Sequence, residues 1–337
     1  MLRIDFYESG IGETTIITFP KGGIGIVDAH PSPSKSRQAI LELVKDREIH
    51  FLCLTHPHAD HGKDLVPILE NGPRPKVLWH TIPNFKEFIY YATEFTTFPS
   101  PNAKFIEKYN SEWAECFLDM FAAAKTKKIP RKQLRADIQP EEIDGVTVHF
   151  LSPEENISTA FAENYAKQIQ SAEPKGGDPN LLSAVLALHY AGQVILLGAD
   201  ALKRNWRDAV PRYKKAGLPK AILLKTPHHG AKNACVIRKG SSKRQDGYLD
   251  LISANPKPTT IIFAGDVDHP NPDVYEKLSK ISNVSCLANG LKSKKRRAAG
   301  ILRPAEQAHV CQGHLSFTLD EMGTLTKTVG THCQACV

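Results

Sequence analysis

Methionine and tryptophan are scarce, at three each in 337 residues, and no apolar run is long enough to cross a bilayer. The greasiest stretch, 185–199, is interrupted by His189, Tyr190, Gly192 and Gln193, which excludes a membrane-spanning helix there. Residues 1–8 carry charge and lack the apolar centre of a secretory signal. No stretch recurs at a fixed period, so a solenoid is excluded as well. Neither sign of charge dominates: 43 Lys and Arg oppose 36 Asp and Glu, and the net +7 hints only mildly at phosphate-bearing partners. The seven cysteines are odd in number and dispersed, unlike the staples of a small secreted domain. The expectation is a reduced, cytoplasmic chain without membrane insertion, in which metal binding is a better use for cysteine than disulfides. What is present is ordinary for a folded protein, 41% hydrophobic and 23% charged residues, and the length suits one large domain or two modest ones.

Strand-length apolar runs at 2–7, 14–19 and 23–28 are separated by Gly and Pro. A helical period follows over 34–45, and 51–54 reads as a buried strand that stops abruptly at Thr55. Another strand is expected at 77–79. The texture changes over 84–137, where the aromatics Phe85, Phe88, Tyr90, Tyr91, Phe95 and Phe98 precede a helix at 111–125. A basic run, Lys125, Lys127, Lys128, Arg131, Lys132 and Arg135, closes this segment. It reads as an insertion or side lobe, with the aromatics as core and the cations as a solvated face. Strands resume at 146–151, 193–197, 221–225, 259–264 and 284–287, with a helix at 273–281. Short strands alternating with helices indicate a layered α/β protein, with sheets covered by helices.

The strongest chemical signal is Thr55-His56-Pro57-His58-Ala59-Asp60-His61, directly after the strand ending at Leu54. Three imidazoles and a carboxylate in one loop can converge on Zn²⁺ or Mn²⁺. Three later apolar strands end in matching ligands: Asp200 after 193–197, His228 and His229 after 221–225, and Asp266, Asp268 and His269 after 259–264. Four such strand ends imply a single polar rim above a buried sheet. Adjacent side chains on extended backbone point opposite ways, so only one of His228 and His229 is expected at the metals unless the chain turns sharply at Gly230.

His56-x-His58-x-Asp60-His61 resembles the signature of the metallo-β-lactamase superfamily. Within it, the chain looks closest to the nuclease-like domain of bacterial DNA-uptake channel proteins. That likeness rests on the segments 10–12, 22–28, 180–183, 198–200 and 225–230 and on His269-Pro270. It covers roughly 1–290 apart from 84–137. The resemblance implies a four-layer αββα sandwich with two mixed β-sheets and two divalent ions, Zn or Mn, at one edge. His56 and His58 would hold the first ion and Asp60 and His61 the second. Asp200 would bridge them and His269 complete the second site. Asp60 could also orient the attacking water. His228 is the favoured proton donor or supporting ligand, and His229 a contact behind the metals or to phosphate.

The chain departs from the family pattern in places. Relatives carry a His after the strand that here ends at Leu151, whereas this chain reads Ser152-Pro153-Glu154-Glu155, so Glu155 or Glu154 is the candidate to complete the first site. The bridging aspartate follows Ala199 rather than Gly, Ala231 stands where Ser is usual, and His30 is a further candidate to face the site. The tail, 301–337, is read as a C-terminal extension of a catalytic domain spanning 1–300. Its Cys311-x-x-His314 and Cys333-x-x-Cys336 suit a structural zinc, with His309 and His332 as competing imidazoles.

The expected function is a metal-dependent hydrolase, a phosphodiesterase or nuclease, whose basic runs at 125–135 and 292–297 would hold a nucleic-acid backbone. The alternatives are a hydrolase of a small phosphate ester or cyclic nucleotide, capped by 84–137, and a non-catalytic partner that retains the fold. A protein partner or a homo-oligomer is compatible with either.

Overall fold

Strict alternation of buried side chains builds two sheets that share one apolar filling. The computed structural model describes residues 1–7, 12–30, 34–83, 111–169, 178–235, 247–252, 256–263, 269–287 and 314–329. In chain order the strands are β1 (Leu2–Tyr7), β2 (Thr14–Thr18), β3 (Ile24–Val27), β4 (Ile49–Leu54), β5 (Val77–His80), β6 (Arg131–Gln133), β7 (Glu141–Ile143) and β8 (Val146–Ser152). They continue as β9 (Val185–Tyr190), β10 (Gln193–Leu197), β11 (Ala221–Lys225), β12 (Thr259–Phe263), β13 (Asn283–Leu287), β14 (His314–Leu319) and β15 (Leu325–Val329). The helices are α1 (Ser34–Val44), α2 (Ala59–Gly62), α3 (Leu65–Asn71), α4 (Ser111–Thr126), α5 (Glu155–Ile169), α6 (Lys203–Lys215) and α7 (Pro272–Ile281).

The first sheet runs β15-β14-β1-β2-β3-β4-β5-β6 and the second β13-β12-β11-β10-β9-β8-β7. Both are mixed, as the family resemblance implies: β3, β4, β5 and β6 are parallel, β10, β11, β12 and β13 are parallel, and the rest pair antiparallel. β4 shows how one strand serves two layers. Phe51 and Cys53 point into the filling between the sheets, while Leu52 and Leu54 point out to the helices. Phe51 stacks on Trp79 at 3.8 Å, and Trp79 meets Phe150 of the second sheet edge-on at 5.2 Å, so the two sheets are joined through aromatic contacts.

Outside the first sheet, Ile40 of α1, Leu65 and Ile68 of α3, Phe117 and Met120 of α4 and Phe161 of α5 form one apolar layer. Outside the second, Trp206, Val210 and Tyr213 of α6 and Val274 and Leu278 of α7 form another. The architecture is the four-layer αββα sandwich.

The hairpin of β14 and β15 is not a free-standing tail. It extends the first sheet by pairing with β1, and Leu315 and Phe317 enter the filling between the sheets. A short hairpin with few apolar residues of its own is stabilised by borrowing a core already built. At the opposite end of the same sheet, β6 pairs with β5, so the end of the 84–137 segment is sheet edge. Among the described residues, no helix is long and apolar enough to cross a membrane.

Candidate metal centre

Parallel strands end at a common rim, and ligands of open α/β sheets bind beyond the carboxyl ends of such strands. Here the rim receives Asp28 after β3, His56 to His61 after β4, Asp200 after β10, and His228 and His229 after β11. Tight turns deliver them. Asp28, Ala199, His228 and His229 all have φ between 44° and 55°, the left-handed region that L residues rarely adopt. Such strain persists only where surrounding contacts over-determine it, and it concentrates at functional sites. Gly198 has no room for a side chain: a Cβ there would stand 2.9 Å from the backbone oxygen of Lys225.

The left-handed turn settles how adjacent histidines share a site. Because the chain curls at His228 and His229 instead of running extended, both rings face Asp200, with Nε2–Oδ2 distances of 3.8 and 3.7 Å. The sharp turn that would let both rings reach the centre is therefore present. His229 is buried and joins Asp60 and His61 in one candidate ion-binding group, while His228 stands at the rim beside Asn180 and Asn233. His269 lies behind them, its ring parallel to that of His229 at 6.3 Å and edge-on to His228 at 5.7 Å.

Four of the imidazoles, His56, His61, His228 and His229, are held through Nδ1, which leaves Nε2 aimed at the centre. His61 Nδ1 donates to Asp28 Oδ2 at 2.8 Å, and His229 Nδ1 donates to the Phe263 carbonyl at 3.1 Å. Asp28 is fixed by the backbone N–H of Thr55 and by its hydroxyl, at 2.8 and 2.7 Å. The same hydroxyl then accepts from His56 Nδ1 at 3.1 Å. His228 Nδ1 donates to Asn233 Oδ1 at 2.8 Å. Partners on the outer nitrogen select the tautomer and aim the ring, as in histidines that bind metals.

The inner atoms fit a divalent cation. His56 Nε2 lies 3.0 Å from His58 Nδ1. His61 Nε2 lies 3.6 Å from Asp200 Oδ2 and 3.9 Å from Asp60 Oδ2. Nitrogen and oxygen ligands about 2.1 Å from a tetrahedral zinc stand about 3.4 Å apart, close to these separations. His61 Nε2 and Asp200 Oδ1 are buried and make no hydrogen bond, which is costly for polar atoms unless a further group satisfies them. His56, His61 and Asp200 bring their ligand atoms within 4.8 Å of one another, as do Asp60, His61 and His229.

Burial and charge act together on the metal-free rings. Burial pushes the pKa of His56 well below the ordinary value, lowers that of His58, and takes His229 down to about 4. These three are neutral at pH 7 and free to ligate. Burial also opposes the His61 imidazolium, but Asp200, Asp28 and Asp60 outweigh it and hold His61 well above its usual value. For Asp200, burial raises the pKa, yet the surrounding histidines, His229 and His61 first, bring it well below the carboxylate range.

No family model matches the chain, and no curated protein does. Among solved structures it is similar to zinc-bound PqqB from Methylobacterium extorquens, at 12% identity and a TM-score of 0.39, over 66% of this chain and 71% of that one. It is similar to a mutant of the CmlA β-hydroxylase at 10% identity and a TM-score of 0.42, over 85% of this chain and 52% of that one. A diphosphatase of the PhnP family aligns at 10% identity and a TM-score of 0.36, over 85% of this chain and 87% of that one. Likeness this distant carries nothing about reaction or substrate.

The structure thus brings His56, His58, Asp60, His61, Asp200, His228, His229 and His269 to one rim. It places Glu155 elsewhere: the carboxylate is exposed on α5 and pairs with Arg135 at 2.9 Å, while Glu154 is taken by Arg212. The polar residue facing His228 is Asn180, with Nδ2 3.5 Å from His228 Nε2 and a buried Oδ1 that makes no hydrogen bond. His30 turns toward Asp64, Nδ1 to Oδ2 at 3.8 Å. Cys311, Cys333 and Cys336 lie outside the described residues, as do Asp266 and Asp268. His314 is in β14, where its ring stacks on Tyr7 and its Nε2 bonds Asp5 at 2.8 Å.

The basic run 125–135 also differs from expectation, because several of its cations are engaged within the protein. Lys127 donates to the Glu70 carbonyl and Arg131 lies over the Phe121 ring. Lys132 pairs with Glu141, and Arg135 with Asp137 and Glu155. The aromatics at 85–98 and the basic run 292–297 lie outside the described residues.

Asp28, Thr55, Glu13, Lys225 and Asn180 belong to the site without having been singled out as its functional residues. A charged residue ending an apolar strand was the available signal for Asp28 and Lys225. Nothing in the local pattern marks Glu13.

Proposed function

We propose that the chain is a metal-dependent phosphodiesterase, a nuclease by its sequence resemblance, that uses two divalent ions. The observation that carries it is the convergence of inward-facing His and Asp atoms, with His56, His61, His228 and His229 each held from outside through Nδ1. His56 and His58 would hold one ion, and Asp60, His61 and His229 the other, with Asp200 between them. Ions bound there supply a water of lowered pKa and neutralise charge on the phosphoryl oxygens. Asp60, the half-buried carboxylate of the loop, orients the attacking water by accepting its proton in a hydrogen bond. His228, on the open side with Nδ1–H held by Asn233, would act as the imidazolium, giving its Nε2 proton to the leaving oxygen and remaining as the neutral Nδ1–H ring.

The assay is a panel of labelled single-stranded, double-stranded and cyclic nucleotides with Mn²⁺, Mg²⁺ or Zn²⁺, with Asp60→Asn as control. Metal-dependent cleavage lost in that variant is expected. No cleavage of any phosphodiester by protein carrying its ions would overturn the reading. His228→Ala is expected to lower turnover about 10²-fold at unchanged metal content, the size of a lost general acid. Unchanged turnover removes His228 from that role.

A small phosphate ester or cyclic nucleotide is the second reading, favoured by the internal engagement of the 125–135 cations. Salt separates the two. A polymer held by several cations loses affinity steeply between 50 and 200 mM salt, by about 10³-fold for six or more phosphate contacts, and a small ester does not.

A further inference from the structure

Glu13 and Lys225 are buried, ionisable, and given no task by the chemistry above; burial pushes the Glu13 carboxyl up to about 8, against the pull of Lys225. Glu13 opens onto β2 and Lys225 ends β11, and their side chains form an ion pair. Ionisable pairs removed from water this completely are weak contributors to stability, since a well-packed neutral pair does as well or better. Their placement points to a different use.

Glu13 sits on the outer side of two imidazoles. Its Oε1 lies 3.6 Å from His229 Nδ1 and its Oε2 lies 4.0 Å from His61 Nδ1, so it touches the nitrogens that face away from the centre. Those nitrogens already donate to Phe263 and Asp28, which sets Glu13 behind the two rings, with its carboxylate also within 4.8 Å of ligand atoms of Asp200 and His229. Its backbone N–H bonds the Asp60 carbonyl at 3.2 Å, which ties β2 to the histidine loop. Lys225 reaches the third element: its Nζ donates to the Ala199 carbonyl at 2.8 Å. That same carbonyl accepts the His228 backbone N–H at 2.9 Å. It belongs to the left-handed residue immediately before Asp200.

We propose that Glu13 and Lys225 are a positioning pair that sets where His61, His229 and Asp200 stand, and so sets the affinity of the centre for its ion. The inference rests on the metal centre proposed above and adds residues that support the ligands from behind. Supporting partners of this kind typically change metal affinity by about 10–100-fold.

The test uses the full-length chain, stripped of metal and titrated with Zn²⁺ against a chromophoric chelator. Glu13→Gln with Lys225→Met removes both charges together and leaves neither unpaired. Glu13→Gln alone keeps a hydrogen-bonding partner for Lys225, and Lys225→Arg keeps the cation. Circular dichroism and thermal melts of the metal-free proteins report folding separately. The expected result is zinc binding about 10–100-fold weaker in the double variant, at least several-fold weaker in Glu13→Gln and nearest wild type in Lys225→Arg, with a metal-free melting temperature not lowered in the double variant. Affinity within threefold of wild type in folded Glu13→Gln and double variants overturns the positioning role. So does a large loss of metal-free stability with affinity unchanged, which marks the pair as structural. Wild-type protein that binds no zinc overturns the metal centre itself.

Discussion

Asp200→Ala is expected to abolish turnover to within about 0.1% of wild type and to release at least one bound ion per chain. The carboxylate lies 3.6, 3.7 and 3.8 Å from His61, His229 and His228, at the meeting point of three imidazoles. A metal centre contributes several kcal/mol of charge stabilisation in the transition state, and about 4 kcal/mol corresponds to roughly 10³ in rate. Asp200→Asn keeps the shape and one ligand oxygen, and is expected to fall between the two. Metal content by atomic absorption, measured on protein shown to be folded, is the direct check. An alanine variant that keeps more than a tenth of the activity, or its full metal content, removes Asp200 from the centre.

A second large effect concerns His80. His80 ends β5, buried against Phe121 at 4.7 Å, with Nδ1 making no hydrogen bond. Burial, and then the nearby Arg131, lowers its pKa from 6.5 to about 3. The folded protein therefore keeps this ring neutral while the unfolded chain protonates it, and between pH 6.5 and 3 the unfolded state binds more protons. Stability contributed by the neutral ring is present above pH 6.5 and is lost as pH falls through that window, by about 5 kcal/mol over its whole width. His80→Phe removes the titrating group and keeps an aromatic ring against Phe121. Its urea-unfolding free energy, measured without metal from pH 6.5 to 4, should fall less steeply than wild type by up to about 1.4 kcal/mol per pH unit. Parallel curves for the two proteins would show that His80 is not buried neutral. Other buried histidines titrate in the same range, and the comparison cancels them.

Local pattern was enough to read most of the sandwich. Apolar runs of five or six residues stopped by Gly, Pro or a charge mark β1, β2, β4, β10, β11 and β12, because a strand buried on both faces needs an unbroken apolar run and its ends need turn residues. The loop ligands were legible for the same reason, since His56 to His61 directly follows such a run. Four helices have no counterpart in the sequence reading, the short α2 and α3 and the longer α5 and α6. Trp206, Ala209, Val210 and Tyr213 of α6 have helical spacing, but Pro211 lies among them and argues locally for a break, and burial against the second sheet overrides it. α5 begins at Glu155, the carboxylate expected with Glu154 as a candidate to complete the first site.

Sequence by itself determined that this chain builds a layered α/β protein and gathers histidine and aspartate at strand ends, because periodicity and strand termination are local properties. Tertiary structure alone decided which of those side chains meet. The order of strands in the second sheet sets the ends of β10 and β11 side by side, so Asp200 comes to His229 across a gap of 28 residues that no spacing rule reads. The left-handed turn at His228 and His229 depends on backbone bonds to Ala199 and Ala231, and it brings both rings to Asp200 where extended backbone would bring one. Pairing of β1 with β14 turns the tail into sheet. Glu13 becomes part of the site only because β2 lies beside β3 and its end touches the Asp60 carbonyl, a contact between segments 47 residues apart. Long-range pairing of this kind is a property of packed layers, and it is absent from any window of the chain short enough to show a pattern.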